Sequence, residues 1–159
     1  MIFESKNIYY INLNRGLINE YLEMVNNYEV QKFISHNIKE YTYEDELKWV
    51  NDKLENKDII YSMIEKNTGK FIGNIEIMDI NNGIGEIGIS IVPSMQNKHY
   101  GTESMKKIIE YGFNELNLKG LELNVYKTNS RAIKCYKNVG FIENGIGKTE
   151  EDIHMIYKR

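Results

Sequence analysis

Hydrophobic positions along this chain change period several times, and each change marks an element. From Ile8 to Leu13 the chain reads as a short strand, and Leu17, Tyr21, Leu22 and Val25 then recur at helical spacing. A polar, aromatic stretch through Phe33, His36 and Tyr41 follows. Thr42 is placed to cap a second helix, with Asp45 three residues on and Leu47, Val50 and Leu54 along one face. Strands are expected from Ile60 to Glu65 and from Phe71 to Ile80, joined by the turn Asn67-Thr68-Gly69-Lys70. Asn82-Gly83 is a strong hairpin signal that leads into a strand from Ile84 to Val92. There Ile87, Ile89 and Ile91 alternate with Glu86, Gly88 and Ser90, the period of a strand with two unlike faces.

Pro93 ends that strand, because it cannot donate to a ladder. After a polar loop, Met105, Ile108, Ile109, Gly112 and Leu116 mark an amphipathic helix. Leu121, Leu123 and Val125 alternate as a further strand. Asn129 or Ser130 then caps a short helix with Ala132, Ile133, Tyr136 and Val139 on its inner side. Phe141 to Ile146 and Ile153 to Tyr157 read as a closing pair of strands. The order predicts an α/β fold on a mixed, mostly antiparallel sheet. Only the strand–helix–strand crossover between residues 84 and 125 needs parallel pairing.

Composition narrows the classes. The 159 residues carry no repeat, low-complexity tract or Gly/Ser/Pro-rich linker, so a single domain over residues 1–159 is expected. One cysteine, Cys135, excludes an internal disulfide, and with three scattered histidines it cannot build a four-ligand zinc site, so no metal is expected. A net charge of −3 argues against a nucleic-acid partner. No apolar run approaches membrane-spanning length and the start, MIFESKNIYY, lacks a signal-peptide pattern; a cytoplasmic protein with no membrane partner is expected.

Two nucleotide-binding patterns are misleading. Gly83-Ile84-Gly85-Glu86-Ile87-Gly88 matches G-x-G-x-x-G, but its last glycine should open a helix and the following residues alternate as a strand. Gly147-Lys148-Thr149 echoes the end of a P-loop, yet Ile142 stands where the first glycine belongs. The segment from Val92 to Glu103 is different. A strand ends, a polar loop turns and a helix begins, leaving helix N–H groups and Lys98 able to receive a phosphate.

Gln96-x-x-His99-x-Gly101-Thr102-Glu103 resembles the Q/R-x-x-G-x-G/A loop of the GNAT superfamily of N-acetyltransferases. Asn129-Ser130-x-Ala132-x-x-x-Tyr136-x-x-x-Gly140-Phe141 is similar to that superfamily's second signature. The stretch Asn27 to Phe33 is similar to its ribosomal-protein N-terminal acetyltransferase branch. His99 departs from the pattern, standing where the family usually has the loop's first glycine. If that position has positive φ, histidine takes it with some strain.

The resemblance implies a V-shaped splay between the fourth and fifth strands, counting from Ile8, and acetyl-CoA as acetyl donor. Attack on the donor by an amine is then direct, in a ternary complex. The pyrophosphate would lie on Gln96, Asn97, Lys98, His99, Tyr100, Gly101 and Thr102, held by N–H groups of Lys98, Tyr100, Gly101 and Thr102. Pantetheine would pair with the backbone of Ile89 and Ile91 and meet Asn129, which also caps its helix. A strand N–H would polarise the thioester carbonyl. Tyr136 takes the family's proton-donor position, and Glu86 serves either as base through water or as an anchor for the acceptor's ammonium, with Glu76 in reserve. Cys135 has no identifiable base and is not expected to act covalently; His36 and His154 are expected to be packed. Lys106, Lys107, Arg131, Lys134 and Lys137 read as solvated helix charges, one or two of them near the 3′-phosphate.

The acceptor side of the family lies on the first two helices and the last strand–strand loop. Glu29, Glu40, Glu44, Asp45, Glu46, Glu150, Glu151 and Asp152 fall there, and an acidic rim favours a small cationic amine or a peptide N-terminus. A monomer or homodimer is expected. The competing readings are a catalytically weak acyl-CoA-binding or regulatory module and a purely structural protein.

Overall fold

In the computed structural model, which describes residues 2–34 and 37–159, the chain forms β1 (Phe3–Glu4), β2 (Ile8–Asn12), α1 (Ile18–Asn26), α2 (Tyr28–Ile34), α3 (Tyr43–Glu55), β3 (Ile59–Glu65), β4 (Phe71–Asn81) and β5 (Ile84–Ile91). It continues with α4 (Tyr100–Asn114), β6 (Gly120–Tyr126), α5 (Ser130–Val139), β7 (Ile142–Ile146) and β8 (Asp152–Lys158). Short 3₁₀ turns at Arg15–Leu17 and Pro93–Met95 precede α1 and α4. The mixed sheet matches the expected class.

Local chemistry explains most boundaries. At α3 the side chain of Thr42 accepts from the N–H of Asp45 at 3.2 Å, and the Asp45 carboxylate accepts from the N–H of Thr42 at 2.9 Å, the reciprocal cap that the spacing predicts. Asn82 and Gly83 both have positive φ (53° and 79°), as a primed hairpin turn requires. Gly85 and Gly88 lie inside β5, so the G-x-G-x-x-G run opens no helix. Two expectations fail. The stretch before Tyr41 contains α2, and of the predicted stripe Leu17, Tyr21, Leu22 and Val25 only Tyr21 is fully buried, joined there by Ile18 and Met24. The 3₁₀ turn through Leu17 delays the start of α1 and rotates its apolar face.

Two compact units share the chain, and β4 and β5 run through both. The first comprises Met1–Glu76 and Ile89–Tyr100, with strand order β1-β2-β3-β4-β5. Its core packs Leu13, Ile18, Tyr21, Met24, Val30, Val50, Ile60 and Phe71, and Trp49 meets Tyr21 edge-on. Buried polar groups pair in a chain: Ser62 Oγ donates to Asn74 Oδ1 at 2.8 Å, so Tyr21, 2.6 Å from Ser62, must donate to it. Burial pushes the Tyr21 phenol above its ordinary pKa. At Gly73 on β4 an added Cβ would stand 1.9 Å from the Ser90 carbonyl oxygen and 2.9 Å from Ile91 Cα.

The second unit comprises Ile77–Gly88 and Gly101–Arg159, with order β4-β5-β6-β8-β7. Its parallel ladder pairs Ile84, Gly85 and Glu86 of β5 with Gly120, Leu121 and Glu122 of β6. The antiparallel ladder between β6 and β8 runs the length of β6, from Gly120 opposite Lys158 to Tyr126 opposite Asp152. On β5 the expected contrast of faces is absent: Gly85, Glu86 and Ile87 are all buried, since this stretch is covered on both sides. α5 ends at Gly140, whose φ of 117° lets its N–H turn back to the Lys137 carbonyl.

Candidate functional site

The first unit supplies Ile89, Ile91 and the loop through Tyr100. After β5 the chain is turned by the Pro93–Met95 3₁₀ turn, and Gln96 Nε2 donates to the Ile91 carbonyl at 3.0 Å. Gln96 thus ties the loop to the strand through one of the Ile91 lone pairs. Asn97 and His99 have positive φ, 63° and 67°, while Lys98 between them does not. Such alternation turns successive N–H groups toward one side and makes an anion-binding concavity. The position of His99 therefore is left-handed, the condition under which histidine replaces glycine with strain. Lys98 Nζ lies 3.9 Å from the Met95 sulfur.

Tyr100 is fixed from below. Its hydroxyl donates to the buried Glu65 carboxylate in a short hydrogen bond, and Thr68 Oγ1 donates to the same carboxylate at 2.6 Å. These bonds, Thr68 first, hold the Glu65 carboxyl below the usual range. No sequence pattern pointed to Glu65, since it is one glutamate at the end of a strand, far from the loop in sequence.

The second unit supplies the start of α4, with Gly101 and Thr102 in its first turn. Ser104, fully buried, donates to the Gly101 carbonyl at 3.2 Å, and Thr102 Oγ1 lies 3.5 Å from Cys135 Sγ. Cys135 thereby touches the first turn of α4, a contact that helical spacing does not reveal. On α5, Asn129 Oδ1 accepts from the N–H of Ala132 at 3.4 Å, the expected cap. Tyr136 is half-buried, its ring edge-on to Phe141 at 6.3 Å, and desolvation pushes its phenol well above the ordinary value.

Glu86 is 7% exposed, and two donors meet its Oε2: Asn124 Nδ2 at 3.3 Å and Lys148 Nζ at 3.1 Å. The parallel register that sets Glu86 opposite Glu122 also explains Asn124, two residues further along the same face of β6. Glu122 is itself met by His154 Nε2 at 3.1 Å, so His154 is a polar partner rather than a packing residue. Glu76, the reserve base, lies 3.5 Å from Lys53 Nζ.

The expected acidic rim divides. Asp45 caps α3, Glu46 and Asp152 are buried, and Glu29 pairs with Lys32 at 2.8 Å; Glu40, Glu44 and Glu150 are exposed. His36 lies outside the described residues.

A pyrophosphate-bearing cofactor fits this donor set. The loop alternates the sign of φ before a 15-residue helix, whose first-turn N–H groups have no intrahelical acceptor and carry partial positive charge. Among the described residues no His, Cys, Asp and Glu cluster is suited to a metal ion, and no helix is long and apolar enough to cross a membrane.

The mixed sheet, the strand-to-helix loop at Gln96–Thr102 and the capped, tyrosine-bearing α5 are the features the resemblance led one to expect. The chain belongs to the GNAT acetyltransferase domain family, whose model matches residues 12–142. It is 34% identical over 100 residues to the spermidine N(1)-acetyltransferase of Escherichia coli K12, covering 62% of this chain and 51% of that protein. To an uncharacterized N-acetyltransferase, p20, of Bacillus licheniformis it is 32% identical over 105 residues, 64% of this chain and 59% of that one. The chain thus matches little more than half the length of these curated relatives. Among solved structures, a GNAT acetyltransferase from Bacillus anthracis superposes with a TM-score of 0.86 at 19% identity, covering 99% of this chain and 98% of that one. The spermidine N-acetyltransferase of Vibrio cholerae, in complex with CoA and spermine, gives 0.84 at 21% identity over 96% and 95%. These likenesses confirm the fold.

Proposed function

We propose that this chain is a cytoplasmic acetyl-CoA-dependent N-acetyltransferase, acting as a single domain in a monomer or homodimer and acetylating a primary amine by direct attack in a ternary complex. The observation that carries the reading is the Gln96–Thr102 loop, with left-handed Asn97 and His99 leading into α4, in a chain of the GNAT family. Bound acetyl-CoA supplies an activated thioester. The N–H groups of Lys98, Tyr100, Gly101 and Thr102 would hold its phosphate oxygens, Gln96 and Tyr100 hold the loop in shape, and Ile89, Ile91 and Asn129 would offer backbone and amide groups to pantetheine. A backbone N–H of β5 would be available to stabilise the thioester's carbonyl oxygen.

An alkylammonium must lose a proton before its nitrogen can attack. Glu86, whose Oε2 is met by Asn124 and Lys148, receives that proton through a water or holds the acceptor's ammonium. Tyr136, a phenol protonated at neutral pH whose pKa desolvation raises further, would give its proton to the leaving sulfur as the C–S bond breaks and the C–N bond forms, and would be reprotonated by the proton that the new amide nitrogen releases.

A small cationic amine of the spermidine kind is the favoured acceptor. Support comes from the spermidine N-acetyltransferases among the relatives and from the exposed Glu40, Glu44 and Glu150. The similarity of Asn27–Phe33 to the ribosomal-protein branch favours a peptide N-terminus instead. CoA release measured against polyamines, aminoglycosides, amino sugars and short peptides separates the two. Acetyl-CoA binding without turnover of any amine would leave a binding module, and the enzyme reading would be abandoned.

A further inference from the structure

Lys148 belongs to the Gly-Lys-Thr run that resembled a P-loop ending, and no role followed for it from the sequence. The structure puts its ammonium 3.1 Å from Glu86 Oε2, although 59% of the lysine side chain is exposed. An exposed lysine on a slack loop would carry little meaning, since long side chains at the surface hold such pairs weakly. This turn, however, is built to deliver it. The N–H of Gly147 donates to the Asp152 carbonyl at 3.0 Å, and the N–H of Asp152 donates to the Thr149 carbonyl at 3.1 Å. Thr149 Oγ1 adds a bond to the Asp152 carboxylate at 3.3 Å.

Gly147 allows the turn to approach closely. A Cβ there would stand 2.6 Å from Asn124 Oδ1 and 2.7 Å from Asp152 Cβ. The turn therefore rests on Asn124, the residue that donates to Glu86, and the next residue lays its ammonium on the same oxygen. Glu86, Asn124 and Lys148 form one cluster within the second unit.

We propose that Lys148 is a specificity-determining residue of the acceptor site: its ammonium occupies the cation position at Glu86, and an ammonium-bearing acceptor binds by displacing it. The inference rests on the reading that Glu86 faces the acceptor. Two ammonium groups competing for one buried carboxylate exchange one ion pair for another, so an amine with a single charge gains little. A polyamine, whose remaining charges are attracted by acidic groups elsewhere, keeps a net advantage. Lys148 thus acts against weakly charged amines.

The test uses spermidine as probe on CoA-loaded protein, read both by calorimetric affinity and by steady-state acetylation. Lys148→Gln keeps the turn and removes the competing charge. It is expected to tighten spermidine binding roughly three- to tenfold and to lower KM by a similar factor, a size in keeping with a partly exposed ion pair. Lys148→Arg retains the charge and should not show the gain. In a Glu86→Gln background the effect of Lys148→Gln should vanish, because there is no carboxylate left to contest. A folded Lys148→Gln protein that binds spermidine no tighter than wild type, or a gain that persists in the Glu86→Gln background, overturns the inference. If spermidine affinity responds as expected but no amine is acetylated, the inference stands and the enzyme reading fails. If amines are acetylated and affinity does not respond, only the inference falls.

Discussion

Replacing Gly73 by alanine should disable the protein while replacing Gly112 by alanine should strengthen it, although both add one methyl group to a glycine in regular structure. At Gly73 the new Cβ meets main chain: 1.9 Å from the Ser90 oxygen, 2.9 Å from Ile91 Cα and 2.9 Å from the Ser90 carbonyl carbon. A comfortable carbon–oxygen approach is about 3.3 Å, so the strands must separate by more than roughly 1 Å, and no rotamer change can relieve it. Overpacking of this kind costs about 3 kcal/mol or more, a fall in Tm of roughly 6–12 °C for a chain of this size. The displaced residue is Ile91, whose carbonyl anchors Gln96 at 3.0 Å, so the loop loosens too. Acetyl-CoA affinity of the folded fraction should drop at least about tenfold. At Gly112 in α4 the new Cβ meets Leu118, Ile77 and Leu121 methyls at 3.4, 3.5 and 3.6 Å, ordinary contacts. There alanine gains about 0.5–1 kcal/mol of helix propensity. Scanning calorimetry gives both Tm values and titration calorimetry gives cofactor affinity. A Gly73→Ala protein that melts within about 2 °C of wild type, or a Gly112→Ala protein that melts lower than wild type, refutes the reasoning.

Tyr136→Phe keeps the ring against Phe141 and should lower kcat roughly ten- to a thousandfold with acetyl-CoA affinity nearly unchanged; full turnover would reduce Tyr136 to a packing residue. His99→Gly relieves a left-handed φ of 67° and should raise Tm while keeping or improving cofactor binding; a large loss of affinity would show that the imidazole itself holds phosphate. Glu46 is 4% exposed with Oε2 unpartnered among the described residues, and desolvation first, then Asp45, raises its pKa. A raised folded pKa means tighter proton binding when folded, so its contribution is favourable in acid and is lost as pH rises through the folded value. Glu46→Gln should therefore raise Tm by roughly 2–4 °C near neutral pH, with the gain closing toward about pH 4; an equal gain at both would refute the assignment.

The elements were legible where local chemistry decides them. Thr42 with Asp45, Asn82 with Gly83, and Asn129 each act through bonds spanning a few residues, and each stands where the spacing placed it. The strand-to-helix loop from Gln96 to Thr102 was legible as a loop for the same reason. α2 was missed because its seven residues hold too little periodicity to register. Contacts formed only by folding stayed hidden: Glu65 beneath Tyr100, Cys135 against Thr102, and Lys148 on Glu86 join residues 33 to 62 positions apart in sequence. The acidic rim was over-read for a related reason. Charge alone does not distinguish a surface glutamate from one consumed by a cap or buried in a turn, as Asp45 and Asp152 are.

The order β6-β8-β7 has a consequence for how the protein is made. β8 lies between two strands that are synthesised before it. Until Asp152–Lys158 has left the ribosome, β6 has no antiparallel neighbour along Leu123–Tyr126, and Ile142, Glu143 and Ile146 of β7 wait for Ile156, Met155 and Ile153. During that interval a nascent chain shows an open strand edge of Leu, Asn, Val and Tyr, the kind of edge that recruits a second chain. Insertion of β8 closes both ladders in one event, so the second unit is completed only once β8 has emerged, and all at once.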